Sequence, residues 1–201
     1  MPSKAIIGRK LGMTQIFTED GRHTPVTVIA AGPCPVVAVR DSGAVQLAFE
    51  PVADRKLSKP ELGHLKKAGV EAHRHLHEFA GSFEVSPGDV VTVESFQPGD
   101  VVKITGRSKG KGFAGTIKRH NFGRGPVSHG SHNVRAPGSI GQSATPSRVI
   151  KGLRMAGHMG NARVTQRGLR IVDRDVERNL LVVSGAVPGP ANGIVFVRED
   201  L

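Results

Sequence analysis

The sequence predicts a mainly β protein, a sandwich or a barrel, with short helices and one long extended loop inserted between strands. Three observations lead there. Short runs rich in Val, Ile and Thr recur at intervals of about 8–12 residues, with turn residues between them. The same pattern returns near the end of the chain, at Val164 to Val172, Asn179 to Ser184 and Ile194 to Arg198. Between these parts, Asn121 to Ile150 has almost no apolar periodicity. Its Gly123, Gly125, Gly130, Gly138 and Gly141, with Pro126, Pro137 and Pro146, rule out a long helix.

In order, Met13 to Thr18 and Thr24 to Ala31 flank Glu19-Asp20-Gly21, a hairpin signal. Pro35 to Arg40 and Ala44 to Glu50 repeat the scheme around Asp41-Ser42-Gly43. Ser58-Lys59-Pro60-Glu61 reads as a helix start, with Ser58 as the cap and Pro60 in the first turn. Gly63 and Gly69 keep that helix short. Asp89 to Phe96 and Val101 to Thr105 are expected strands, introduced by Pro87-Gly88-Asp89 and Pro98-Gly99-Asp100. Phe113 to His120 is expected as a short helix, with Lys118 and Arg119 near the end where the dipole favours cations. Lys151 to Met159 is expected to hold a short turn of helix. The strands on either side of the irregular stretch should belong to one sheet system, which makes that stretch an insertion and not a tail.

Charge is distributed unevenly. From Val101 to Val172 there is no Asp or Glu, yet there are fourteen Lys and Arg residues. That exceeds the net charge of the whole chain, +11, so everything outside the window is net acidic. Like charges repel, and a solvated face normally mixes signs. A window that excludes carboxylates makes sense where a polyanion supplies the counter-charge. Nucleic acid is the first expectation and an anionic membrane surface the second. The membrane reading is weak. The apolar stretch from Val26 to Val39 is broken by Gly32, Pro33 and Pro35, and Ala5-Ile6-Ile7 is too short for a signal-peptide core. The one cysteine, Cys34, excludes an internal disulfide and a Cys-rich zinc site, and a reduced cytosolic setting is the default.

Within the window, Lys109, Lys111, Lys118, Arg119, Arg124 and Arg163 are candidate phosphate contacts. Gly106-Arg107-Ser108-Lys109-Gly110-Lys111-Gly112 does not match a phosphate-binding P-loop, because no Ser or Thr follows the lysine. Trp and Tyr are absent from the chain, and only Phe113 and Phe122 fall in the window. Stacking platforms for single strands rely on aromatics, so a folded RNA gripped by backbone and shape is expected. His129, His132 and His158 are expected as hydrogen-bonding or stacking contacts to that RNA.

Two other chemistries find less support in the residues. His73-x-His75-x-His77 would put three imidazoles on one strand face, a geometry zinc can use, but no cysteine or framing carboxylate completes a site. A solvated polar segment is expected there, with no metal. Ser128-His129 and Ser131-His132 set hydroxyls beside imidazoles, but the window offers no carboxylate to orient either ring. No catalytic residue is assigned. The rival function is an RNA-modifying or RNA-hydrolysing enzyme.

A resemblance covers essentially the whole chain. Gly8-x-Lys10-x-Gly12-Met13-Thr14-x-Ile16-Phe17, Ser128-His129-Gly130-Ser131, Pro137-Gly138-Ser139-Ile140-Gly141-Gln142, Thr145-Pro146, Lys151-Gly152 and Met155-Ala156-Gly157-His158-Met159-Gly160 carry it. So do Asn179-Leu180-Leu181-Val182-Val183 and Gly185-Ala186-Val187-Pro188-Gly189. In these motifs the chain resembles bacterial ribosomal protein three of the large subunit. The resemblance implies a six-stranded barrel of the translation-protein type. Residues 1–120 and 155–201 would form the barrel body, with a small helix-and-loop insertion near 54–83. Residues 121–154 would be an extended basic loop driven into large-subunit ribosomal RNA toward the peptidyl-transferase centre. Its tip would run from Ala136 to Pro146, with Gln142 and Ser143 nearest the catalytic RNA. Arg135, Arg148, Lys151 and Arg154 would bind phosphates along the limbs. Some members carry a methylated Gln just before the Thr-Pro pair. Here that place is Ala144, and the modification is not expected.

The expected function is that of a structural constituent of the large subunit, active in early assembly and in bracing RNA. The expected partners are ribosomal RNA and neighbouring large-subunit proteins. No cofactor, membrane or small-molecule substrate is expected, and the expected location is the cytoplasmic ribosome.

Overall fold

The computed structural model describes residues 4–17 and 21–200. It is mainly β. In chain order the strands are β1 (Ala5–Phe17), β2 (His23–Ala31), β3 (Cys34–Val39), β4 (Val45–Pro51), β5 (His73–Phe79) and β6 (Val90–Val91). They continue with β7 (Val101–Arg107), β8 (Phe113–Ala114), β9 (Gly157–His158), β10 (Arg163–Asp175), β11 (Leu180–Ser184) and β12 (Ile194–Glu199). The helices are α1 (Lys59–Lys67) and α2 (Thr116–His120), and short 3-10 turns occupy Asp54–Lys56 and Val93–Ser95. Packing divides the chain into two units. One comprises the chain up to Ser108 with Arg163 onward, and the other is Lys109–Ala162.

In the first unit, six strands pair in the order β1-β12-β7-β10-β11-β2, and β2 returns to β1 to close a barrel. Closure leaves this ring without an edge strand. A second sheet has the order β5-β4-β3-β6. The run Ala5-Ile6-Ile7 is strand backbone with both isoleucines fully buried. A strand that loses its alternation in this way is covered on both faces. Gly8 continues it because β2 approaches closely. A Cβ there would lie 2.7 Å from Ile29 Cγ2 and 2.8 Å from the Ala30 carbonyl oxygen. The core gathers Ile6, Ile29, Ile104, Leu181 and Val197 with Leu47 and Phe79 from the second sheet. The other face of that sheet packs Val37 and Ala48 on Leu65 of α1. Helix α1 starts as its residues predict. Ser58 and Glu61 form a reciprocal capping box, with the Ser58 N–H donating to Glu61 Oε2 at 2.9 Å.

The paired turns are alike. After each Pro-Gly, the aspartate accepts from a backbone N–H three residues earlier: Ser86 N–H to Asp89 at 2.7 Å, and Gln97 N–H to Asp100 at 3.0 Å. The Asp41-Ser42-Gly43 turn closes β3 on β4, with the Arg40 N–H donating to the Ala44 carbonyl. The turn at Glu19-Asp20 lies outside the described residues. Its hairpin is present up to the Phe17–His23 pair.

Four local expectations are corrected. Asp89 to Phe96 is not one strand, for only Val90 and Val91 pair, with Pro35 and Cys34. Thr92 then caps a 3-10 turn, accepting from the Glu94 N–H, which buries Val93 and Phe96 on one side at a spacing of three. Phe113 and Ala114 are strand, so the helix starts only at Thr116. Lys151 to Met159 holds no helix. Gly152 and Gly160 stand at φ +83° and +73°, outside the helical region, and Gly157-His158 pairs as β9 with β8. The histidine segment is not a solvated stretch. It forms β5, with His73 buried and His75 and His77 half-buried.

Candidate nucleic-acid interface

Strands β7 and β10 are hydrogen-bonded neighbours, with Arg107 opposite Arg163. Everything from Ser108 to Ala162 is therefore an insertion between two adjacent antiparallel strands. Its base is a ladder. The Asn161 N–H donates to the Lys109 carbonyl, the Lys111 N–H to Met159 at 2.9 Å, and the Met159 N–H to Gly112 at 2.9 Å. Pairing of Phe113 with His158 and Ala114 with Gly157 continues it. Helix α2 follows and stops at Asn121, whose φ of +60° is the left-handed cap conformation. Arg119 Nη1 donates to the Met155 carbonyl at 2.8 Å, and His120 Nε2 reaches the same oxygen at 3.1 Å. Residues 121–154 form no helix or strand. A local closure is the Gly125 N–H donating to Val134 at 3.0 Å.

The candidate residues fall as follows. Lys109, Lys111, Lys118, Arg119, Arg124, His129, His132, Arg135, Gln142, Ser143, Arg148, Lys151, Arg154 and His158 all lie in unit 109–162, and all are exposed. Arg163 is also exposed but belongs to the barrel unit, at the start of β10. Among the described residues, no lysine or arginine of 109–162 forms an ion pair with a carboxylate; the unit contains none. Uncompensated cations on an exposed surface hold a counterion atmosphere that a phosphate chain displaces. Arg119 is partly committed, since one Nη serves the Met155 carbonyl.

Elsewhere the ionisable groups are structural. Cys34 is buried, its Sγ 3.4 Å from the Ile7 carbonyl, and burial pushes the thiol pKa up to about 12. That makes it a poor nucleophile. The histidines of β5 are each engaged separately. His73 Nδ1 donates to the Glu71 carbonyl at 2.8 Å, and His75 Nε2 lies 3.3 Å from Glu50, which also takes Arg9 at 2.6 Å. His77 stacks on Phe196 with centroids 3.8 Å apart. Burial lowers the pKa of His75 and His77. Among the described residues no group of His, Cys, Asp and Glu is arranged to hold a metal ion. Lys103, Phe196 and Arg198, which share a notch with His77, were not singled out by sequence. The one signal was the alternation of the histidines, which marks a strand with one face in contact.

Barrel and insertion together define a class: a mainly β protein presenting a carboxylate-free, cation-lined surface of the kind that suits a polyanion. A family model described as Ribosomal protein L3 matches residues 76–175. The chain is 52% identical over 207 residues to a protein of Solibacter usitatus (strain Ellin6076) named "Large ribosomal subunit protein uL3", covering 98% of this chain and 99% of that one. A protein of the same name from Pelobacter propionicus is 50% identical with 98% of each chain covered. Another from Streptomyces coelicolor is 51% identical, covering 97% and 95%. The chain belongs to the ribosomal protein L3 family.

Proposed function

We propose that this chain is a structural constituent of the large ribosomal subunit that binds large-subunit ribosomal RNA, supports early assembly and braces RNA near the peptidyl-transferase centre. Its barrel is of the translation-protein type and sets position among neighbouring large-subunit proteins. Residues 121–154 are the RNA-penetrating loop, with Gln142 and Ser143 at its tip. Lysine and arginine bind phosphates along both limbs, and glycines let RNA backbone come close where a side chain would obstruct. The chain places no catalytic group and works in the cytoplasm as part of the ribosome.

One observation carries this reading: a unit with no carboxylate, whose cations are exposed and unmatched by any acid of their own. The names of the relatives, large ribosomal subunit proteins, support it. Limited proteolysis of the isolated protein and of the assembled subunit tests it. Lys118, Arg124, Arg135, Arg148 and Lys151 are trypsin sites that should be cut in the isolated protein and protected in the subunit. Equal cleavage in both would refute the reading.

A further inference from the structure

The barrel's outer surface carries a second cluster, built from residues of the barrel unit. On β12, Arg198 sits beside Lys103 of β7, and Phe196 beside Thr105. On the other side of β7, Thr165 of β10 faces Thr105, their hydroxyls 2.8 Å apart. His77 of β5 lies nearly flat on Phe196, with centroids 3.8 Å apart and planes at 19°, and Phe79 meets His77 edge-on at 4.9 Å. With Arg163 these groups line a notch of about 270 Å³.

Its charge is one-sided. Lys103, Arg163 and Arg198 face one lining carboxylate, Glu78, which Arg40 holds at 3.3 Å. Lys103 makes a long contact to Asp200, at 3.4 Å, while Arg167 binds that carboxylate more closely, at 2.8 and 3.0 Å. Arg198 keeps a buried Nε–H with no acceptor among the described residues. A buried donor without an acceptor is costly and calls for a partner. Cations alone suit any anion, and a ring pair alone suits any flat apolar group. Both in one small notch, which Thr105 and Thr165 also line, match the chemistry of a nucleotide.

We propose that this notch binds a single unpaired RNA nucleotide, its base against the His77–Phe196 pair and its phosphate on Arg163 and Arg198. The proposal rests on the reading that the chain binds large-subunit RNA, and it assigns this contact to residues of the barrel unit.

Two measurements on the full chain test it. First, the complex with large-subunit ribosomal RNA is irradiated with ultraviolet light and the crosslinked peptides are sequenced. A nucleotide attached within the peptides holding His77 or Phe196 is expected. Crosslinks confined to 109–162 would overturn the notch and leave the reading of the insertion standing, whereas failure to form any complex overturns both. Second, adenosine monophosphate and ribose 5-phosphate are titrated while the ring protons of His77 and Phe196 are followed by NMR. The nucleotide should perturb both rings and bind about fivefold or more tighter than the sugar phosphate. Arg163→Gln, at an exposed position, should weaken it about tenfold. Equal affinity for the two probes, or unmoved rings, would sink the proposal.

Discussion

Asp200 shows how single residues tie the ends of the barrel strands. Arg167 donates to both of its oxygens, and the Gly168 N–H adds a bond at 3.2 Å. The Arg167 hydrogen bonds hold the Asp200 carboxyl below its ordinary value. A depressed folded-state pKa contributes stability above the unfolded value, near about pH 4, and loses it as pH falls through the folded value. Urea titrations from about pH 5 down to about pH 2 should therefore show a steeper loss of stability in the native chain than in Asp200→Asn. Gly8 tests packing instead of charge. Its two nearest neighbours would meet a Cβ at 2.7 and 2.8 Å, one of them backbone. Gly8→Ala is expected to destabilise by about 1–3 kcal/mol in the same assay, because β1 and β2 must separate.

At the scale of elements, legibility followed local chemistry. The helix start at Ser58, the two Pro-Gly-Asp turns and the later strands were readable, because each is decided by residues within three or four positions. What escaped was decided at a distance. Val90 and Val91 are strand only where Cys34 and Pro35 lie alongside, and β8 exists only because β9, far along the chain, returns to it. The histidines of β5 looked polar and solvated, yet β4 and Phe196 enclose them. The candidate interface was legible because missing carboxylates are a property of composition. Exposure of its cations was not, because burial is decided by the fold and not by composition. For the element itself, replacing Arg148 and Lys151 by Gln should flatten the logarithmic salt dependence of RNA binding by about one to two units. An unchanged slope in filter-binding titrations would remove both from the phosphate contacts.

For the whole molecule, the topology makes a separable prediction. Arg107 and Arg163 are already cross-strand partners, so a two-residue Asn-Gly turn replacing 108–162 joins strands that are in place. The shortened chain should unfold cooperatively with the barrel's β signature in circular dichroism, and should lose most of its affinity for large-subunit RNA. In the intact chain, six to ten neutralised phosphates would give a salt slope of roughly −4 to −9.

The pairing of β7 with β10 has a practical corollary. Loop-closure entropy grows only logarithmically with length, so lengthening or shortening the stretch between these strands weighs little on the melting of the ring itself. A defective variant of this stretch would pass a thermal screen unnoticed and declare itself only as incomplete particles in a sucrose gradient.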